Sequence, residues 1–159
     1  MTVRLEVDQA AWREHVTTAA QAYGPALVPV VKGNGYGFGR SLLHGLAAEL
    51  VGPLEHLCVG TIYELDGVPS GARPVVLVPS LVPPATSEAA VMTVGSTAHV
   101  DALRGWSGEV IVKVASRSIT AAVTVLNALT TRAPVDMTTK LPKRRSELTV
   151  RAKVAGAAS

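Results

Sequence analysis

The segment VVKGNGYGFGR, residues 30–40, places one lysine directly after an apolar run and before four glycines at alternate positions. A lysine that is partly removed from water loses solvation of its charged form, so its amine can act as a nucleophile and form a Schiff base with a carbonyl. Glycines have no Cβ atom, so their backbone can approach a planar ligand closely. These residue types indicate carbonyl chemistry at Lys32. The alternative is a lysine that only extends from a strand end into solvent.

Spacing excludes two other glycine-rich sites in this segment. A phosphate-binding P-loop has its lysine after the glycines and before Ser or Thr, whereas Lys32 precedes the glycines. The dinucleotide fingerprint G-x-G-x-x-G would require a third glycine where the chain has Phe38. Neither nucleotide motif therefore accounts for the segment.

Strand and helix patterns alternate along residues 1–116, and this alternation is typical of βα units with a parallel sheet. Ligands bind at the carboxyl ends of the strands in such folds, and Lys32 lies at one of these ends. Strands are expected at 2–7, 26–31, 56–60, 73–80, 91–96 and 109–116. Helices are expected at 8–24, 41–52 and 96–106, with a helical turn at 61–67 and a further helix from residue 83. The strand at 26–31 lacks polar alternation, which predicts burial on both faces.

Residues 117–159 depart from this pattern. No glycine occurs between Glu109 and Ala155, and no aromatic residue follows Trp106. Residues 1–131 carry a net charge of −2 and residues 132–159 a net charge of +5. The basic charge thus belongs to the tail, and nucleic-acid binding by the body has no support. Helices at 118–130 and 144–156, or a solvated, disordered tail, fit this composition.

Composition narrows the class of protein further. A chain of 159 residues with 48% hydrophobic residues can form one globular domain with a core. No run approaches the roughly 18 apolar residues of a membrane span, and the charged start has no leader pattern, so a cytoplasmic protein is expected. The single cysteine, Cys58, allows no internal disulfide and is expected to pack in an apolar strand. No metal site is expected, because the four histidines lack ligand spacing: His15, His44, His56 and His99.

The lysine segment resembles the pyridoxal-phosphate lysine motif of the alanine racemase family, which is usually close to V-V-K-A-N-A-Y-G-H-G. The matching positions in register with Lys32 are Asn34, Tyr36, Gly37 and Gly39. The resemblance covers about residues 1–116. The family's first strand and helix are similar to RLEVDQAAWREHV, and its second βα unit is similar to CVGTIYELDG. Its later strand, with the pattern V-K-x-D-T-G, is similar to EVIVKVAS.

This resemblance implies a parallel (β/α) barrel of the TIM type, here partial and apparently incomplete, since a closed barrel takes about 250 residues. It implies that Lys32 holds pyridoxal phosphate as a Schiff base and exchanges the α-proton of the substrate on one face. Tyr36 would pack beside the cofactor and reach toward its phosphate. The implied protein is a homodimeric isomerase of D-amino-acid metabolism that interconverts L- and D-alanine if it is complete. The alternatives are a pyridoxal-phosphate-binding or carrier protein without racemase activity, and an inactive truncated fragment.

The sequence also departs from the motif that it resembles. Gly33 and Gly35 replace the usual alanines, and Phe38 replaces the usual histidine. The family's second base is a tyrosine from a C-terminal domain of the partner subunit, and no residue of this chain takes that place. An open half-barrel is expected to expose apolar strand edges and therefore to aggregate or associate.

Overall fold

The computed structural model describes residues 6–24, 27–51, 55–85, 90–106 and 108–113, together with the backbone of 135–140 and 149–154. The strand expected at 2–7 lies almost wholly outside these ranges. The helix expected at 118–130 lies entirely outside them.

Helix α1, Gln9–Tyr23, begins and ends where its sequence predicts. The side chain of Asp8 accepts hydrogen bonds from the backbone N–H groups of Ala10 and Ala11, both at 3.0 Å, and so satisfies donors that have no partner inside the helix. Gly24 ends the helix with a φ of 54°, a left-handed value that favours glycine. Both helix ends are therefore set by local sequence.

The other helices are close to their predicted positions. Helix α2 spans Arg40–Val51 and helix α3 spans Thr97–Ala102. The helix expected from residue 83 is absent at residues 83–85, while its next four positions lie outside the described ranges. In the described part of the chain, no helix is both long and apolar enough to cross a membrane.

Six strands of the described chain form one mixed sheet, and they are numbered in chain order as β1 His56–Val59, β2 Arg73–Val76, β3 Val91–Val94, β4 Gly108–Lys113, β5 Val135–Lys140 and β6 Thr149–Val154. Their order in the sheet is β1-β2-β3-β4-β6-β5. The first four strands are parallel, and the last two form an antiparallel pair that continues the sheet beyond β4. The chain is therefore a mixed α/β protein with a four-stranded parallel sheet.

The segment that leads to Lys32 forms a single parallel bridge with β1, through Val30 and Cys58. The N–H of Val31 donates to the carbonyl of Cys58, and the N–H of Cys58 donates to the carbonyl of Pro29, both at 2.8 Å. Pro29 has no N–H to extend the ladder. Val31 is buried but Val30 is 38% exposed, so the prediction of burial on both faces is wrong at Val30.

The hydrophobic core fills the space between the sheet and the helices. Strand β3 is buried at all four positions, the pattern of a parallel strand that is covered on both faces. Val31, directly before Lys32, belongs to this core, so the base of the lysine is anchored in well-packed structure. The largest fully buried side chains are Leu57, Val59, Val76, Val91, Met92, Val94, Val110 and Val112.

The tail forms sheet where the sequence suggested helix or disorder. Residues Thr149–Val154 form β6, so the helix expected over 144–156 is wrong in this part. Their sequence, TVRAKV, alternates apolar and polar residues with the two-residue period of a strand. Strand β6 pairs with β4 along all six residues of β4. The expectation of an exposed strand edge is therefore also wrong at β4.

Candidate functional site

Lys32 follows the bridged segment at the carboxyl end of the parallel sheet, as its sequence context predicts. Its Nζ atom lies 5.9 Å from the centroid of the Tyr36 ring, within the range of a cation–π contact. The structure thus brings together the two residues that the resemblance singled out. Both side chains are exposed, and Tyr36 is 56% exposed.

The exposure of Lys32 contradicts one expectation from the sequence. The sequence predicts an amine that is partly removed from water, whereas Lys32 is exposed in the part of the chain that the structure describes. The reason is local, because residues 32–38 extend beyond the bridged segment and only Gly35 is buried among them. The described residues position the amine but do not dehydrate it.

The loop after Lys32 has an unusual backbone. Gly33, Asn34, Gly35 and Tyr36 are four consecutive residues with φ between 54° and 65°, all in the left-handed region. Glycine adopts this region freely and asparagine tolerates it, whereas a tyrosine there costs about 1–2 kcal/mol. The two glycines that replace alanines of the resembled motif therefore match the backbone. Strain of this kind is often found at ligand sites, so it directs attention to the contacts that maintain it.

Glu64 holds this loop against the segment that follows β1. Its Oε1 accepts a hydrogen bond from the N–H of Gly33 at 2.7 Å. Its Oε2 accepts from the N–H groups of Gly60 and Thr61 at 2.6 and 3.0 Å. One carboxylate therefore joins two chain segments by backbone hydrogen bonds alone.

These bonds determine the ionisation of Glu64. Burial raises the pKa of its carboxyl, but hydrogen bonds from the backbone N–H groups of Thr61, Gly33, Gly60 and Asn34 stabilise the carboxylate and lower the pKa overall. Glu64 is thus an anion at neutral pH, surrounded by N–H dipoles. The arrangement is a small anion-binding nest that is filled by a side chain of the same protein.

Sequence reasoning missed Glu64, although a partial signal was present. The pattern T-x-x-E at residues 61–64 is typical of a capping box, and the structure forms that box around a one-turn helix at Ile62–Glu64. The pattern predicts bonds within this turn. It contains nothing about Gly33, which is 31 residues away along the chain.

Aromatic and aliphatic contacts support the opposite side of the loop. The rings of Phe38 and Trp12 stack with centroids 6.2 Å apart and planes inclined by 24°. A Cβ atom on Gly35 would lie 3.1 Å from Cδ1 of Leu43 and 3.2 Å from the backbone nitrogen of Arg40. The loop is thus fixed by α1 and α2 on this side and by Glu64 on the other.

Other polar groups at the carboxyl edge make local contacts. Oγ of Ser96 lies 2.9 Å from Nδ1 of His99, and the N–H of Gly95 donates to the same nitrogen at 3.2 Å. Lys113 ends β4 and is exposed. Elsewhere, His44 is buried in α2, and its Nε2 has no hydrogen-bond partner in the described structure. The described residues contain no group of three or more His, Cys, Asp or Glu side chains that could hold a metal.

Comparison with known proteins adds no family assignment. No protein-family model, curated protein or solved structure matches this chain significantly.

Proposed function

We propose that this chain binds pyridoxal phosphate through a Schiff base on Lys32 and is an alanine racemase-like protein of amino-acid metabolism. The observation that supports this proposal is the position of the Lys32 amine, which lies at the carboxyl end of a parallel sheet with the ring of Tyr36 beside it. None of the ion pairs among the described residues includes Lys32. These two side chains fit an aldehyde that carries a phosphate. Lys32 supplies a primary amine that forms no ion pair with a described carboxylate, and Tyr36 supplies a phenol beside it.

Each residue has a distinct part in this proposal. The cofactor, when bound, supplies an electron sink that makes the α-proton of an amino acid removable. Lys32 would hold the cofactor through its amine and would move that proton on one face of the substrate. Tyr36, whose ring lies beside the Lys32 amine, would contact the cofactor and offer its phenol as a donor to the phosphate. Racemisation also requires a base on the opposite face of the substrate, and none of the described residues is a candidate for it.

The fold has a matching interpretation. We take the segment at Val30 and strands β1–β4 as consecutive strands of a partial TIM-type barrel. Strand β6 then occupies the edge of β4 at which the next parallel strand of a closed barrel would pair. In this proposal the antiparallel pair β5–β6 ends the barrel pattern and leaves the barrel incomplete.

A non-catalytic function is the second candidate, and the exposure of Lys32 favours it. An amine in contact with water can still condense with an aldehyde. It is less well suited to proton transfer at carbon, which benefits from a site that excludes water. A cofactor-binding or carrier protein would need only the condensation.

One experiment separates these possibilities. The full chain is incubated with pyridoxal phosphate, and its absorption spectrum is recorded before borohydride reduction and peptide mass mapping. We expect a new absorption band and a pyridoxyl group on Lys32, both absent from Lys32→Ala and both retained in the matched control Lys113→Ala. Identical spectra for the wild-type and Lys32→Ala proteins would refute the proposal. Formation of the band without any conversion of L-alanine to D-alanine would support the binding function over the racemase.

A further inference from the structure

The carboxylate of Glu64 accepts hydrogen bonds from the backbone beside Lys32 and from the backbone of the segment after β1. One oxygen accepts from Gly33, the residue that directly follows the lysine. The other accepts from Gly60 and Thr61, which follow the strand bridged to Val30. We propose that Glu64 is a positioning residue that fixes where the amine of Lys32 lies.

Close packing connects this carboxylate to the lysine side chain through Gly60. A Cβ atom on Gly60 would lie 2.6 Å from Oε2 of Glu64 and 3.1 Å from Cβ of Lys32. Gly60 therefore sits between the two residues with no room for a side chain. The carboxylate and the first carbon of the lysine side chain therefore both lie close to Gly60.

The left-handed loop depends on the same contact. The N–H of Gly33 donates to Glu64 at 2.7 Å, so the carboxylate holds the first residue of the left-handed turn in which Tyr36 is strained. Without it, Tyr36 can relax to an ordinary right-handed or extended conformation. The ring beside the lysine Nζ would then move away.

Glu64 acts on Lys32 through geometry and not through charge. Both of its oxygens accept hydrogen bonds from backbone N–H groups, and none of the described ion pairs joins it to Lys32. Glu64→Asp keeps the charge but is one methylene shorter, so it cannot reach both segments. Glu64→Gln keeps the length but presents an NH2 group to backbone donors. Both variants should consequently displace the amine.

The test measures the reactivity of Lys32 inside the intact chain. Acetic anhydride labelling, read by mass spectrometry, gives the labelling rate of Lys32 relative to Lys113 in the same molecule. Because the amine should leave the Tyr36 ring in both Glu64→Gln and Glu64→Asp, we expect this ratio to change at least threefold in each variant. The matched control is Glu55→Gln, whose side chain lies before β1, at the opposite end of that strand, and is 91% exposed. It should leave the ratio unchanged.

A second readout connects the inference to the proposed function. Capture of pyridoxal phosphate at Lys32, again relative to Lys113, should fall at least tenfold in both Glu64 variants. If the wild-type protein captures no pyridoxal phosphate at Lys32, the proposed function fails, while the labelling ratio still tests the position of the amine.

Two outcomes would overturn the positioning role. In the first, both Glu64 variants unfold at a lower temperature, yet the labelling ratio measured well below that temperature equals the wild-type ratio. Such a result would show a purely structural residue. In the second, Glu64→Asp behaves as wild type and Glu64→Gln does not, which would show an effect of charge. If both variants fail to fold, Gly60→Ser is the alternative, because its side chain would displace the Glu64 carboxylate without removing it. An unchanged Lys32 to Lys113 labelling ratio in Gly60→Ser would also contradict the proposal.

Discussion

Val112 of β4 lies opposite Val150 of β6 in antiparallel register. This pair belongs to a ladder that covers β4 from Gly108 to Lys113. The tail is therefore part of the sheet, and it satisfies the backbone groups at the edge where the parallel order ends. An unpaired edge is a template for association with other chains, so this pairing should affect solubility as well as stability.

Removal of the two tail strands tests that conclusion. A chain that ends at Pro134 lacks β5 and β6 and leaves the β4 edge unpaired, so we expect it to aggregate or to form oligomers that the full chain does not form. A chain that ends at Val154 retains both strands and serves as the control. Size-exclusion chromatography with light scattering compares the two. A monodisperse, thermally unchanged protein ending at Pro134 would contradict the role assigned to β6.

Gly60 and Gly45 make a matched pair of glycine substitutions. A methyl group on Gly60 would overlap the carboxylate of Glu64 and press on the Lys32 side chain, so Gly60→Ala should lower the free energy of unfolding by about 1–3 kcal/mol. Gly45 lies within α2 with nothing within 4 Å of the added methyl. Gly45→Ala should raise stability by about 0.5–1 kcal/mol, because alanine has the higher helix propensity. Denaturant unfolding measures both, and equal effects would show that the contact at Gly60 is not tight.

The conformation of the lysine loop can be tested at the two positions where the resembled motif has alanine. Gly33 has a φ of 58° with open space around it, so Gly33→Ala should cost only the left-handed strain, about 1 kcal/mol. Gly35 has a φ of 65° and also faces Leu43 and Arg40 at close distance, so Gly35→Ala should cost more. Urea unfolding of both variants gives the comparison. Neutral effects at both positions would indicate a right-handed loop.

Local signals explain which features the sequence predicted. Asp8 and Gly24 determine the ends of α1 through contacts within a few residues, so these ends follow directly from residue type. The four-residue spacing of Lys32 and Tyr36 is also local, and the structure places them together. Apolar runs that alternate with helical patterns over residues 1–116 predict the parallel strands.

Contacts between distant residues explain what the sequence did not predict. Glu64 bonds to Gly33 across 31 positions, and no pattern in either segment specifies that pairing. The alternation of apolar and polar residues in β6 indicates a strand, but it does not specify β4 as the partner. The exposure of Lys32 depends on how far its loop extends beyond the bridged segment, which residue type alone does not determine.

The lowered pKa of Glu64 predicts a loss of loop stability in acid. Backbone N–H groups favour the carboxylate over the protonated form in the folded protein, so Glu64 contributes its full stabilisation at any pH above the ordinary glutamate pKa of about 4.3. This contribution decreases as the pH falls below that value and is lost once the folded carboxyl itself is protonated. Hydrogen-exchange protection of the Gly33 and Gly60 N–H groups should therefore be constant from pH 7 to about pH 5 and fall in more acidic solution.

The N–H of Cys58 is the internal control for that experiment, because it donates to the carbonyl of Pro29 and not to a titrating group. Its protection should persist while that of Gly33 and Gly60 is lost. In Glu64→Gln the two glycine N–H groups should show low protection at every pH, with no acid transition. Loss of protection at all three N–H groups at one common pH would instead indicate global acid unfolding and would remove Glu64 as the cause.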